Sequence, residues 1–160
     1  MSGDTTQGGT QQQLITELMR ALTDLQTASD QVDQAVSTAL GLNRTDARCL
    51  SCLITRGPMA AGDLAATAGI APTALTFAID RLTQAGYTER QRDPADRRRV
   101  LITASDKALR WAEQMWSQTI TETQHQLSQY TPQQLKLLTN FVTDQIELQR
   151  HQAQRITKNA

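Results

Sequence analysis

The sequence predicts a mainly α protein with one small β-hairpin, in which a compact central region is flanked by long helices. Three observations carry this. Apolar residues recur every three to four positions over long stretches near both ends of the chain. That period is abandoned at 87–103, where two short β-prone runs flank the turn Asp93-Pro94-Ala95-Asp96-Arg97-Arg98. The length of 160 residues, with 39% apolar and 20% charged, suits one folded core.

Taken in order, residues 1–13 are polar, without a basic n-region or an apolar h-region, and read as a disordered tail instead of a signal peptide. From there Leu14, Leu18, Leu22, Leu25, Ala28, Val32, Val36 and Ala39 describe one amphipathic helix over 14–41. At 1.5 Å per residue it is about 40 Å long. A single small core cannot cover such a rod, so its apolar face is expected to pack on another long helix, from a second chain. Gly41 breaks it, and Asn43 with Asp46 marks the next helix start. That helix carries Cys49, Leu50, Leu53 and Ile54 and stops at Arg56-Gly57-Pro58.

Two short helices follow, over 62–68 and 72–84, separated by the turn Ala68-Gly69-Ile70-Ala71. Pro72 sits in a first turn, where its missing N–H costs nothing. Leu75, Ile79 and Leu82 share one face of the second helix, and Gly86 ends it. Beyond the hairpin, Thr103 and Asp106 are spaced as the N-cap and N3 acid of a helix bearing Leu109, Ala112, Trp116, Ile120, Thr123 and Leu127. Thr131-Pro132-Gln133-Gln134 combines a capping Thr, a proline at N1 and a Gln at N3, which restarts the chain as a last helix with Leu135, Leu138, Phe141, Val142 and Ile146. That helix is expected to fray past Arg150. The expected organisation is a tail (1–13), an N-terminal dimerisation helix (14–41), a central region (42–103), C-terminal dimerisation helices (104–150) and a frayed end (151–160).

Several function classes drop out. No apolar run approaches the roughly 20 residues of a membrane helix, so no membrane partner is expected. There is no Walker loop, GxGxxG, HExxH or GxSxG, and His125 and His151 stand outside any ligand spacing. No enzyme activity, cofactor or metal is expected. Two cysteines are too few for a disulfide framework and fit a reduced, cytoplasmic setting.

Lys and Arg (16) balance Asp and Glu (16), so net charge names no partner. Their placement does. Residues 1–80 hold 4 basic and 8 acidic side chains, whereas 81–160 hold 12 and 8. The densest cluster is Arg90, Arg92, Arg97, Arg98 and Arg99, against Asp93 and Asp96. A balanced protein with one basic point can bind a polyanion there.

The central region has the pattern of a winged helix–turn–helix. Ala65 supplies a small residue where two helices cross, and Gly69 supplies the turn. Leu75 and Ile79 bury one side of the second helix, leaving Thr73, Ala74, Thr76 and Phe77 exposed near its N-terminus, where such a helix reaches base edges in the major groove. A hairpin tipped with Arg92, Arg97, Arg98 and Arg99 suits phosphate and minor-groove contact. A solvated turn with local ion pairs is the competing reading; five arginines in ten residues exceed what it requires.

Gly57-Pro58, Asp63-Leu64-Ala65, Gly69-Ile70, Asp80-Arg81-Leu82, Gly86-Tyr87, Glu89-Arg90, the turn Asp93-Pro94-Ala95-Asp96-Arg97-Arg98 and Thr103 together resemble the multiple-antibiotic-resistance regulator (MarR) family of bacterial transcription factors. The motif-bearing match covers about 42–106, and the flanking helices agree in place and length. The resemblance implies a homodimer with interleaved terminal helices, two reading heads on one side of double-stranded DNA, and a pocket for a small-molecule effector between dimer helices and reading head. It further implies that Asp96 orients the wing arginine, that Arg98 enters the minor groove, that Thr73, Thr76 and Phe77 read bases, and that Arg81 lies near phosphates. Three departures stand out. Phe77 occupies a position where a polar or basic residue is common, which points to a thymine methyl. Ala60 and Ala71 replace capping hydroxyls, and Asp106 replaces a glycine after the wing.

The expectation is therefore a homodimeric transcriptional repressor of a pseudo-palindromic operator, relieved by a small molecule. Two alternatives stay open: a redox-sensing repressor switched by Cys49 and Cys52, and a helical adaptor that binds protein instead of DNA. The bland reading of Cys49 and Cys52 is a buried small hydrophobe and its neighbour on a helix interior. Trp111 and Trp116 suit a dimer core at least as well as a ligand pocket.

Overall fold

The structure, a computed structural model, describes residues 5–159, with side chains over 10–158. Its order is α1 (Thr5–Leu40), α2 (Arg44–Arg56), β1 (Met59–Ala60), α3 (Ala61–Ala68), α4 (Pro72–Gln84), β2 (Thr88–Arg92), β3 (Val100–Ala104), α5 (Asp106–Leu127) and α6 (Pro132–Asn159). Mainly α with a small β-hairpin wing is thus the observed class. The strands form one antiparallel sheet in the order β1-β3-β2, with Met59 opposite Ile102 and Arg90 also opposite Ile102 on the other side.

Two expected boundaries are corrected. Residues 5–13 belong to α1 instead of a disordered tail, and 151–159 continue α6 instead of fraying; residues 1–4 and 160 lie outside the described residues. Once a helix is nucleated, each added residue gains a backbone hydrogen bond, and Gln11–Gln13 and the Gln- and Arg-containing end are good helix formers. The strand β1 was not expected, because two residues, Met59 and Ala60, carry no readable period.

The helix starts obey local chemistry. Asn43 caps α2, its side-chain oxygen accepting from the Asp46 N–H at 2.9 Å while its amide donates to the Asp46 carboxylate. Thr131 and Gln134 cap α6 reciprocally: Gln134 N–H donates to Thr131 Oγ1 and Thr131 N–H to Gln134 Oε1. Ala60 and Ala71 flank α3 and α4 with extended backbone and no side-chain cap, as their methyl groups dictate. At α5 the expectation of a Thr103 cap is corrected. Thr103 lies in β3, and Ser105 Oγ instead accepts the Ala108 N–H while donating to the Gly86 carbonyl at 2.7 Å.

The chain divides into two compact units, Met1–Arg110 and Trp111–Ala160. The first contains the core: Cys49, Leu50 and Leu53 of α2, Leu64 and Ala65 of α3, Leu75, Ala78, Ile79 and Leu82 of α4, Ile102 and Ala104 of β3, and Ala108. Each fully buried leucine contributes about 2 kcal/mol of transfer free energy. Small residues allow the close α3–α4 crossing, and Gly69 in left-handed backbone (φ 63°) reverses the chain between the helices, its N–H and that of Ile70 satisfying the last carbonyls of α3.

The long helices look different. Along α1, Leu14, Leu18, Leu25 and Val32 are exposed, with Leu14 at 60%. In the second unit Leu137, Leu138, Val142, Ile146 and Ile156 of α6 are exposed, Leu137 at 69%. Each of these periodic apolar faces is left uncovered by the described residues of its own unit.

Candidate nucleic-acid interface

Helix α4 is held by its buried side and offers the other to solvent. Leu75, Ala78, Ile79 and Leu82 enter the core; Thr73, Thr76 and Phe77 are exposed and Ala74 is half-buried. Phe77 is 66% exposed, an unusual position for a phenylalanine in a well-formed core unit. Thr76 Oγ1 donates to the Pro72 carbonyl at 3.2 Å.

A charge pair anchors α4 from below. Arg81 forks onto Asp46 of α2, Nε to Oδ2 at 2.8 Å and Nη2 to Oδ1 at 2.6 Å. The Asp46 carboxylate is only 3% exposed, whereas the Arg81 side chain is half-exposed. The hydrogen bond to Asp46 raises the Arg81 pKa and keeps its charge fixed. Arg81, expected near phosphates, therefore has its fork committed to α2, and only its remaining N–H groups are free to reach DNA. Asp46 was legible as a capping residue, but its pairing with Arg81 joins positions 35 residues apart and leaves no local signal.

The wing loop is built by two aspartates. Asp93 Oδ1 accepts from Ala95 N–H at 2.8 Å and Asp96 Oδ1 from Arg98 N–H at 3.0 Å, each folding the backbone two residues on. Backbone bonds from Arg99 N–H to the Asp96 carbonyl and from Asp93 N–H to the Arg99 carbonyl close the loop. Asp96 thus positions Arg98 through its backbone, not through the guanidinium.

The arginines then divide into two groups. Arg90 pairs with Asp80 of α4 at 2.9 Å and Arg99 with Asp63 of α3 at 3.5 Å, tying the base of the wing to the two helices. The guanidiniums of Arg92, Arg97 and Arg98 have no partner among the described residues, and all three side chains are exposed. Three unneutralised cations on one short hairpin make a local anion-binding surface on a protein of zero formal net charge. Sequence reasoning placed Arg99 with the contacting group and left Asp63 and Asp80 without a role; the pairing follows only from how the sheet docks on α3 and α4.

A cleft of about 450 Å³ opens between α4 and the wing, lined by Leu75, Ile79, Val100 and Ile102 with Thr76 and Arg90. On α2, Cys49 is fully buried and Cys52 half-buried. Burial, with Cys52 and the Asp46 charge adding to it, pushes the Cys49 thiol up to about 11, and burial raises Cys52 as well. That is opposite to the direction a redox-sensing thiol requires. Trp111 and Trp116 are both half-buried on α5. No cluster of metal-ligating side chains occurs among the described residues.

Comparison with known proteins matches this geometry. The sequence model of the MarR family matches residues 42–100, the whole of α2, β1, α3, α4, β2 and the wing loop. The chain is 32% identical over 123 residues to the HTH-type transcriptional regulator YcgE of Bacillus subtilis, covering 77% of this chain and 80% of that one. The chain belongs to the MarR family. As a MarR-family transcriptional regulator it binds DNA, and it is not an enzyme. Among solved structures, a MarR family protein from Bacillus stearothermophilus superposes with a TM-score of 0.59 at 17% identity, over 87% of this chain and 97% of that one. NadR, in complex with 4-hydroxyphenylacetate, gives a TM-score of 0.58 at 19% identity, over 78% and 88%. Both likenesses concern the fold. In this MarR-family chain α4 is the second helix of the helix–turn–helix and the β2–β3 hairpin the wing, and no single described helix is long and apolar enough to cross a membrane.

Proposed function

We propose that the chain acts as a homodimeric repressor that binds a pseudo-palindromic operator and is released from it by a small molecule. The observation that carries the DNA-binding geometry is the set of three unpaired wing guanidiniums, Arg92, Arg97 and Arg98, together with the exposed Thr73, Thr76 and Phe77 and the half-buried Ala74 of α4. In this reading α4 enters the major groove, Arg98 the adjacent minor groove, and Arg92 and Arg97 the phosphates. Arg99 acts through Asp63, and Arg81 through Asp46, by fixing the wing and α4 in place.

The exposed apolar faces of α1 and α6 support a second copy of the chain as their cover, since no monomer gains by leaving Leu14, Leu18, Leu137 and Ile146 in water. A twofold dimer reads half-sites about one DNA turn apart, roughly 10 bp between centres. Such a protein works in the compartment that holds the DNA, the bacterial cytoplasm. Ligand relief draws support from the 450 Å³ cleft, where an amphipathic anion would touch α4 and the wing at once, and from the aromatic acid bound by the fold relative NadR. Small aromatic carboxylates are the first effectors to try.

The test combines two measurements on the purified chain. Selection from random duplex DNA is expected to enrich an inverted repeat, and the mass in solution is expected to be that of two chains. A monomeric protein, or a selection that enriches nothing, overturns the proposal. Addition of 4-hydroxyphenylacetate to the operator complex probes relief directly, with loss of anisotropy as the expected signal.

A further inference from the structure

The exposed N-terminal half of α4 lacks every side chain that reads guanine or adenine by paired hydrogen bonds; further along, Arg81 has its fork on Asp46 and Gln84 stands at the last residue of the helix. Bidentate reading takes Arg or Lys for guanine and Asn or Gln for adenine. Before Asp80 this helix offers Thr73, Ala74, Thr76 and Phe77. Asp80 itself is engaged with Arg90 at 2.9 Å, and the Thr76 hydroxyl proton is engaged with the Pro72 carbonyl. What remains is the Thr73 hydroxyl, which makes single bonds that do not tell one base from another, and apolar surface. Thr73, Ala74 and Phe77 are spaced i, i+1 and i+4, so that both Thr73 and Ala74 neighbour Phe77 on one face. Phe77 is 66% exposed, so most of its apolar surface is left in water by the fold of its own chain. Among the base edges that line a major groove, one group can repay its exposure: the 5-methyl of thymine.

We propose that Phe77, flanked by Thr73 and Ala74, is the specificity-determining residue of α4 and reads thymine 5-methyl groups, so that each half-site is recognised at T·A pairs by apolar contact and not at guanines. The inference rests on the reading of α4 as the helix that enters the major groove. It also explains why the unpaired charge is concentrated on the wing: affinity comes from Arg92, Arg97 and Arg98, and selectivity from the uncharged first two turns of α4.

Deoxyuridine differs from thymidine only by that methyl and keeps every hydrogen-bonding edge. Each thymine of the selected operator is replaced singly by deoxyuridine, and binding is measured for the wild type, Phe77→Ala and Phe77→Leu. For the wild type, one or two positions per half-site are expected to lose about fourfold in affinity per methyl, and about fifteenfold when both half-sites are changed. In Phe77→Ala the same replacements are expected to be silent; in Phe77→Leu, which keeps an apolar side chain, part of the penalty returns. Phe77 is exposed, so neither variant threatens the fold. A uracil scan that is silent in the wild type, or a penalty that persists in Phe77→Ala, overturns this inference and leaves the regulator standing. A selection that enriches no sequence overturns both.

Discussion

Removing the three unpaired wing guanidiniums should flatten the salt dependence of DNA binding by an amount the structure fixes. Arg92, Arg97 and Arg98 have no intrachain carboxylate among the described residues, whereas Arg90 and Arg99 are already matched by Asp80 and Asp63. In a dimer this leaves six cations to displace DNA counterions. At about 0.9 ion per phosphate contact the slope of log affinity against log salt is about −5, which costs about 10³ in affinity between 50 and 200 mM. Arg98→Ala removes two of these contacts per dimer and should lower the slope by about 2; the triple alanine variant should abolish most of it. Asp63→Asn should act in the opposite sense, since it releases Arg99 from its pair. The assay is anisotropy of a labelled operator across a KCl series. A triple variant with the wild-type slope would refute the reasoning, because the charge bound to DNA would then lie elsewhere.

Further outcomes follow from other parts of the structure. Because burial holds the Cys49 proton more tightly in the folded chain than in the unfolded one, stability should fall as pH rises from about 9 through about 11, and Cys49→Ala should lose this component in urea unfolding compared pH by pH. Ala71→Ser places a hydroxyl at an uncapped, extended N-cap and should stabilise by about 0.5–1 kcal/mol, whereas Ser105→Ala should destabilise by about 1 kcal/mol or more, since it also orphans the Gly86 carbonyl. Ile146→Lys puts a charge on the exposed apolar face of α6; sedimentation should report a monomer and operator binding should be lost. Arg98→Ala should weaken operator binding more than Thr73→Ala, with anisotropy as the measure.

Much of this was legible in the sequence, for identifiable reasons. Apolar spacing gave α1, α4, α5 and α6 because each buries or exposes a single face, and the caps Asn43 and Thr131 announced themselves because capping is local. The wing was legible because Asp93 and Asp96 fold their own backbone within two residues. What was not legible is long-range. The Asp46–Arg81 fork, the Arg99–Asp63 and Arg90–Asp80 pairs and the Ser105–Gly86 bond each join residues brought together only by packing. The same limit explains why Arg99 was grouped with Arg92, Arg97 and Arg98 as a contacting residue, when it is paired with Asp63. The polar ends at 5–13 and 151–159 were misread because polarity marks exposure, not loss of helix.

The central claim is that Arg98 enters the minor groove while α4 occupies the adjoining major groove. Hydroxyl-radical footprinting of the selected operator, with wild type and Arg98→Ala compared at saturating protein, tests it most directly. The account predicts minor-groove protection at two positions related by the operator's twofold axis, one flanking each half-site, with both lost in Arg98→Ala while half-site occupancy persists. A footprint that is the same for the two proteins would contradict it.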